Sequence, residues 1–190
     1  MNPTMTKETL EAGREITPSM TKEEIYAHMT KYNVRFLRMQ FTDITGNNKN
    51  VEVPASQFEP ALDGQVLFDG SSIEGFTRIE ESDMVLKPDF STYRLDPWPS
   101  FGQKHTEHGK VAHIICDVYT PDASPFEGCP RLALKRMCKE AAALGYTMKC
   151  GPEAEFFLFS RTADGAATTV THDSAGYFDL APTDLGEECR

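Results

Sequence analysis

Over the hundred-odd positions after Pro54 the apolar residues fall in many short runs separated by glycine, proline and aspartate. Runs this short cannot line a helical bundle; their spacing favours brief strands joined by tight turns. The clearest strands lie at 66–68, 84–86 and 111–118. An earlier run is less regular. Val34 and Phe36 point one way and Leu37, Met39 and Phe41 the other, so neither face is clean. Gly46 and two asparagines make a turn within 42–48, and 49–53 reads as a returning strand stopped by Pro54. Segment 87–103, rich in proline and aromatics, reads as an extended path over a core.

Two helices interrupt this pattern. Thr21 and Glu24 form a capping box ahead of Ile25, Met29 and Tyr32, which predicts an amphipathic helix over 22–32. Pro130 opens a second helix, which Gly145 ends. Leu134, Met137, Ala141 and Leu144 give it an apolar face, with Lys135, Arg136, Lys139 and Glu140 toward water. Prolines at 121, 125 and 130 mark a boundary just before it. Further strands are expected at 153–159 and 177–180, and Asp184 with Glu187 has capping-box spacing for a helix start. The expected class is α+β: a flexible leader over 1–20, a first domain over 21–120 and a second over 121–190. Under two turns of the last helix fit before Arg190, so the second domain reads as incomplete.

Composition removes several function classes. Among 190 residues, 29 acidic against 19 basic side chains give a net charge of −10, which argues against a general nucleic-acid binder. No apolar run approaches the roughly 18 residues of a membrane span. The N-terminus lacks the apolar stretch of a signal peptide. The five cysteines are an odd number without a C-x-x-C pair, which suits reduced thiols in a cytoplasmic protein.

The sharpest chemical feature is Gly151-Pro152-Glu153-Ala154-Glu155, followed by Phe156-Phe157-Leu158-Phe159. In a strand, Glu153 and Glu155 share a face, and Phe157 and Phe159 continue it. Two adjacent carboxylates need a cation, a shared proton or water to relieve their repulsion. Oxygen donors of this kind suit Mg²⁺ or Mn²⁺, while an exposed strand end would leave them simply solvated. In the glycine-punctuated loop after 66–68, Asp69 is positioned to attract a small cation or to form an ordinary Asp-Gly turn. Arg78, Glu80, Glu81 and Asp83 form a charge cluster. His105 and His108 lack a helical setting and a further ligand, and no Walker-type phosphate loop is present.

Taken in order, VRFLRMQFTDITGNNKNVEVP, FDGSSIEGFTRIEESDMVLKPD, GPEAEFFLF and GYFDLAPTDLGEECR resemble bacterial-type (class I) glutamine synthetase from about residue 20 to residue 190. The resemblance implies an N-terminal β-grasp domain followed by the beginning of a truncated α+β catalytic domain. It implies ligation of ammonia to L-glutamate, driven by ATP through a γ-glutamyl phosphate, for glutamine biosynthesis and nitrogen assimilation. Glu153 and Glu155 match the family's metal-binding glutamates, one for each of two divalent cations. Asp69 matches an aspartate that reaches a neighbouring subunit's site and helps bind and deprotonate ammonium. Asp83 matches a second acid at that boundary. Arg78 matches an arginine used for glutamine feedback in one subclass. The implied assembly is a dodecamer of two stacked six-membered rings. Ala154 stands where proline is frequent. The remaining metal, adenine and glutamate ligands of the family lie beyond residue 190, so this stretch alone is expected to be inactive. A non-catalytic β-grasp assembly or regulatory module is the competing expectation, and a ligase for a bulkier amine, which has less use for Asp69, is another.

Overall fold

The computed structural model describes residues 20–73, 75, 82–96 and 109–186. The expected leader over 1–20 lies outside them except for Met20. The chain divides into two compact units, 1–147 and 148–190.

Among the described residues, the first unit opens with helix α1 (Lys22–Lys31). Both halves of its capping box form: the Thr21 hydroxyl accepts from the Glu24 amide, and the Glu24 carboxylate accepts from the Thr21 amide. The helix sends Ile25, His28 and Met29 into the core. Strands β1 (Val34–Thr42) and β2 (Asn48–Pro54) follow as a hairpin. The mixed parity of β1 has a local cause. Val34 pairs with Lys110 but Phe36 with Val111, so one extra residue bulges out at Arg35. The bulge resets the alternation, so Val34 is buried along with Leu37, Met39 and Phe41, while Phe36 stays exposed. Opposite it, Gly109 approaches so closely that a Cβ there would lie 2.7 Å from the Asn33 carbonyl oxygen. Pro54 ends up inside β2, opposite Phe36, tolerated because β2 is an edge strand.

Helix α2 (Phe58–Leu62) was not legible in the sequence; it buries Phe58, Ala61 and Leu62. Strands β3 (Val66–Asp69), β4 (Asp83–Pro88), β5 (Arg94–Leu95) and β6 (Lys110–Tyr119) complete a six-stranded sheet. Its order is β2-β1-β6-β4-β3, with β1 and β6 parallel and the other neighbours antiparallel. β5 pairs with β6 beyond the end of β4, so one line of chain is broken by a tight turn at Phe90–Thr92. The Thr92 hydroxyl repairs the gap by accepting from the Ile115 amide at 2.8 Å. Within 87–103 the expected extended path therefore holds a strand, and 97–103 lies outside the described residues.

The core gathers Leu37, Met39 and Phe41 of β1 with Ala112, Ile114, Cys116 and Val118 of β6, over α1 and α2. Tyr93, fully buried, shares a 3.0 Å hydrogen bond with His28 Nδ1 and ties the broken strand line to α1. Ile114 lies on the central strand with no exposed surface. Ile114→Ala is expected to cost about 2–5 kcal/mol, read as a lower urea midpoint with an unchanged slope. A shift under about 0.5 kcal/mol would mean this centre is not closely packed.

The β1–β2 turn is built on Asp43, a buried acid. Its Oδ1 accepts from the Thr45 hydroxyl at 2.7 Å and from the Thr45 and Asn47 amides at 2.9 Å. The Thr45 hydroxyl is the strongest influence, and with the amides it holds the Asp43 carboxyl down to about 2, against the effect of burial. A carboxyl depressed by folding stabilises the fold above the usual carboxylate range, and that contribution is lost as pH falls toward 2. The melting temperature should fall between about pH 4 and pH 2. Asp43→Asn should flatten part of that fall; an unchanged acid limb would show that the turn does not contribute.

After the boundary, helix α3 (Pro130–Ala143) runs to Leu144 and Gly145. Its expected apolar face is not the one it buries. Leu132 goes into the core, whereas Leu134, Met137 and Leu144 stay exposed.

The second unit contains one hairpin, β7 (Phe159–Arg161) with β8 (Ala167–Thr171). The strand expected at 153–159 is corrected to this short β7, because a strand needs a pairing partner and none of the described residues pairs with 153–157; the ladder begins where the His172 amide donates to the Leu158 carbonyl at 2.8 Å. The strand expected at 177–180 is a turn, closed by the Asp179 amide on the Gly176 carbonyl at 3.3 Å, with Tyr177 and Phe178 exposed. At 182–186 no helix forms, and Glu187, the far half of the expected capping box, lies outside the described residues.

Candidate functional site

Asp69 and Asp83 are brought together by the pairing of β3 with β4. The two strands align Val66 with Leu86, Leu67 with Val85 and Phe68 with Met84, which sets Asp69 directly opposite Asp83. Both side chains are exposed at this end of the sheet. Like charges facing each other across an antiparallel pair destabilise it, so the place is suited to a cation. A backbone clasp holds the register, the Gly70 amide donating to the Ser82 carbonyl at 2.6 Å.

Asp69 then turns the chain. Its Oδ1 accepts from the Ser71 amide at 2.9 Å and from the Ser71 hydroxyl at 2.6 Å, while Oδ2 accepts only a 3.4 Å contact from Ser72. The Ser71 hydroxyl, with its amide, lowers the Asp69 carboxyl below the ordinary value. Asp69 is thus anionic at neutral pH, with Oδ2 the less occupied oxygen. The alternatives of Asp-Gly turn and cation site are compatible: one oxygen makes the turn and the other faces out.

Glu153 and Glu155 lie in the second unit, exposed, on chain without regular secondary structure. The shared face expected of a strand survives only deeper in the motif, where the Phe157 and Phe159 rings stack with centroids 6.3 Å apart. Carboxylate oxygens suit a hard divalent cation, so the residue types fit such a metal. They do not complete a site, since among the described residues no three His, Cys, Asp or Glu side chains are grouped to hold an ion. Arg78, Glu80, Glu81, His105 and His108 lie outside the described residues.

Sequence reasoning missed a second charged group. Arg131 bridges Asp117 and Asp89, and Lys135, expected to face water, reaches Asp117 at 2.5 Å. The only signal was an arginine in the first turn of a helix, where the helix dipole disfavours a cation unless acids face it.

The fold is an α+β domain built on one mixed sheet, followed by a second segment that carries two exposed glutamates. The family profile "Glutamine synthetase, beta-Grasp domain" matches residues 33–121, and "Glutamine synthetase, catalytic domain" matches 127–190. Similar proteins include a glutamine synthetase of Thermus thermophilus, 59% identical over 171 residues, which is 90% of this chain and 38% of that protein. One of Staphylococcus aureus is 57% identical, over 90% of this chain and 37% of its own length. Among solved structures, a Plasmodium falciparum glutamine synthetase shares the fold with a TM-score of 0.56 at 23% identity, over 67% of this chain and 23% of that one. The chain belongs to the glutamine synthetase family. It spans little more than a third of the relatives it matches, 38% and 37% of their lengths.

Among the described residues, no helix is long and apolar enough to cross a membrane.

Proposed function

We propose that this chain supplies the N-terminal part of a glutamate–ammonia ligase, which makes glutamine from L-glutamate and ammonium with ATP. The observation that carries the reading is the match to both family domains, and the roles of Asp69, Asp83, Glu153 and Glu155 rest on the motif resemblance. In this reading 1–20 is a leader, 21–120 the β-grasp domain and 121–190 the first part of the catalytic domain.

The reaction has two steps. A γ-carboxylate oxygen of glutamate attacks the terminal phosphorus of ATP, and ADP leaves. Ammonia nitrogen then attacks the γ-carbonyl carbon of the acyl phosphate, phosphate leaves, and the nitrogen gives up its extra proton. Glu153 and Glu155 would each give an oxygen donor to one of two divalent cations, Mg²⁺ or Mn²⁺, with further donors from outside this chain. Such cations, when bound, neutralise the charge on the transferred phosphoryl group.

Asp69 has two conceivable tasks, holding ammonium and accepting its proton. Its environment favours the first. The donors from Ser71 stabilise the anion and so weaken it as a base, while Oδ2 remains open to an N–H donor. Asp83, opposite in register, adds a second negative charge to the same end of the sheet and strengthens the pull on a small cation. Arg78 is the proposed contact for glutamine feedback. Asp69 and Glu153 belong to separate compact units, which is compatible with Asp69 serving a neighbouring subunit in a homo-oligomeric ring, a dodecamer in the family.

The test uses the chain joined to the remainder of its catalytic domain. Release of ADP should require glutamate, ammonium and a divalent cation together, with glutamine as product. A joined protein that binds none of these and only assembles would replace this reading with that of a β-grasp module.

A further inference from the structure

Helix α3 lies in the segment matched by the catalytic-domain profile, yet it docks on the β-grasp sheet within the first compact unit. Little apolar surface holds it there. Leu132 is its one buried residue, and Leu134 and Met137 are 63% and 54% exposed. Charge supplies the attachment. The Arg131 guanidinium lies 2.8 Å from Asp117 of β6 and 2.6 Å from Asp89, the residue that starts the turn after β4. One helical turn on, Lys135 reaches the second oxygen of Asp117 at 2.5 Å and Asp89 at 3.8 Å.

These are not ordinary surface pairs. The side chains of Asp117 and Arg131 are 12% and 23% exposed, so most of their hydration is gone. Losing one partner would leave a largely desolvated charge behind, whereas an exposed pair is worth little. Asp89 is held in place from its other oxygen, which accepts from the Ser91 hydroxyl at 2.6 Å and the Ser91 amide at 3.2 Å. The acceptors are thus fixed on the sheet and the donors sit on the helix.

We propose that Asp89, Asp117, Arg131 and Lys135 form an electrostatic latch that holds α3 on the β-grasp sheet, with Arg131 as its pivot, and that α3 comes off the sheet as a unit when the latch is broken. This goes beyond the proposed ligase activity and does not depend on it. A helix of this length is marginal alone in water, so α3 melts when it undocks. Protection of its amides from hydrogen exchange therefore reports the latch.

The experiment is residue-resolved hydrogen exchange on the chain. Arg131→Met should speed exchange over 134–143 by about tenfold or more and leave β1 and β6 protected. Adding Asp117→Asn to Arg131→Met should do less than Asp117→Asn does alone, because the two share one interaction. Lys135→Met, which removes the more exposed arm of the latch, should also speed exchange in α3 ahead of the sheet, and by less than Arg131→Met. Unchanged α3 protection in Arg131→Met overturns the proposal. So does an equal rise in α3 and β6, or a larger opening from Leu132→Ala than from Arg131→Met. Should Arg131→Met fail to fold, Lys135→Met decides, and unchanged α3 protection in that variant overturns the latch.

Discussion

Asp69→Asn should raise the KM for ammonium by about ten- to a hundredfold in the whole enzyme, with the KM values for glutamate and ATP unchanged. Asparagine keeps an oxygen that can accept from the Ser71 amide, and it is an equally good cap, so the turn should stand. What is lost is the charge at the open Oδ2. Because the hydrogen bonds on Oδ1 make Asp69 a good anion and a poor base, the loss should appear in ammonium binding before it appears in turnover at saturating ammonium. A variant with unaltered KM and a kcat reduced about a hundredfold would assign proton transfer to Asp69 instead. Asp83→Asn, across the register, should act in the same direction and more weakly, since Asp69 remains.

The largest expected effect belongs to the paired glutamates. Glu153→Gln and Glu155→Gln each keep the size and one oxygen of the side chain but remove the charge. Losing a direct carboxylate ligand should exceed the ten- to hundredfold cost typical of losing a supporting contact, so activity should fall by at least about a hundredfold. A titration with Mn²⁺ should need more metal to reach half-activity in either variant. Both residues are exposed, so the melting temperature should not move in either variant. Full activity at the same metal requirement in both variants would remove the metal role.

Much of the first domain was legible because local rules and tertiary structure agree there. The capping box at Thr21 and Glu24 starts α1, and Pro130 and Gly145 bracket α3. Where reading failed, a neighbour decided. The mixed parity of β1 is a bulge that only its pairing with β6 reveals, and α2 is too short to leave a period. Lys135 is exposed as expected, but its pairing with Asp117, on a neighbouring strand, left no signal in the sequence. Glu153 and Glu155 stood out by residue type and spacing, but their strand does not form, since regular backbone needs a pairing partner that the described residues do not offer. Asp69 and Asp83 were each visible as acids, and their alignment required the β3–β4 register.

The exposed side chains of Phe156, Phe157, Tyr177 and Phe178 in the second unit follow the same logic. A unit of this size buries too little apolar surface to fold stably by itself, so its aromatics are available to further chain. Activity is therefore expected of the whole protein and not of these residues in isolation.

The most direct measurement replaces ammonia with hydroxylamine and follows γ-glutamyl hydroxamate. The chain joined to the rest of its catalytic domain should form the hydroxamate only with glutamate, ATP and a divalent cation, and the double variant Glu153→Gln/Glu155→Gln should form almost none. Undiminished hydroxamate from the double variant, or hydroxamate from the 190-residue chain by itself, would contradict the account.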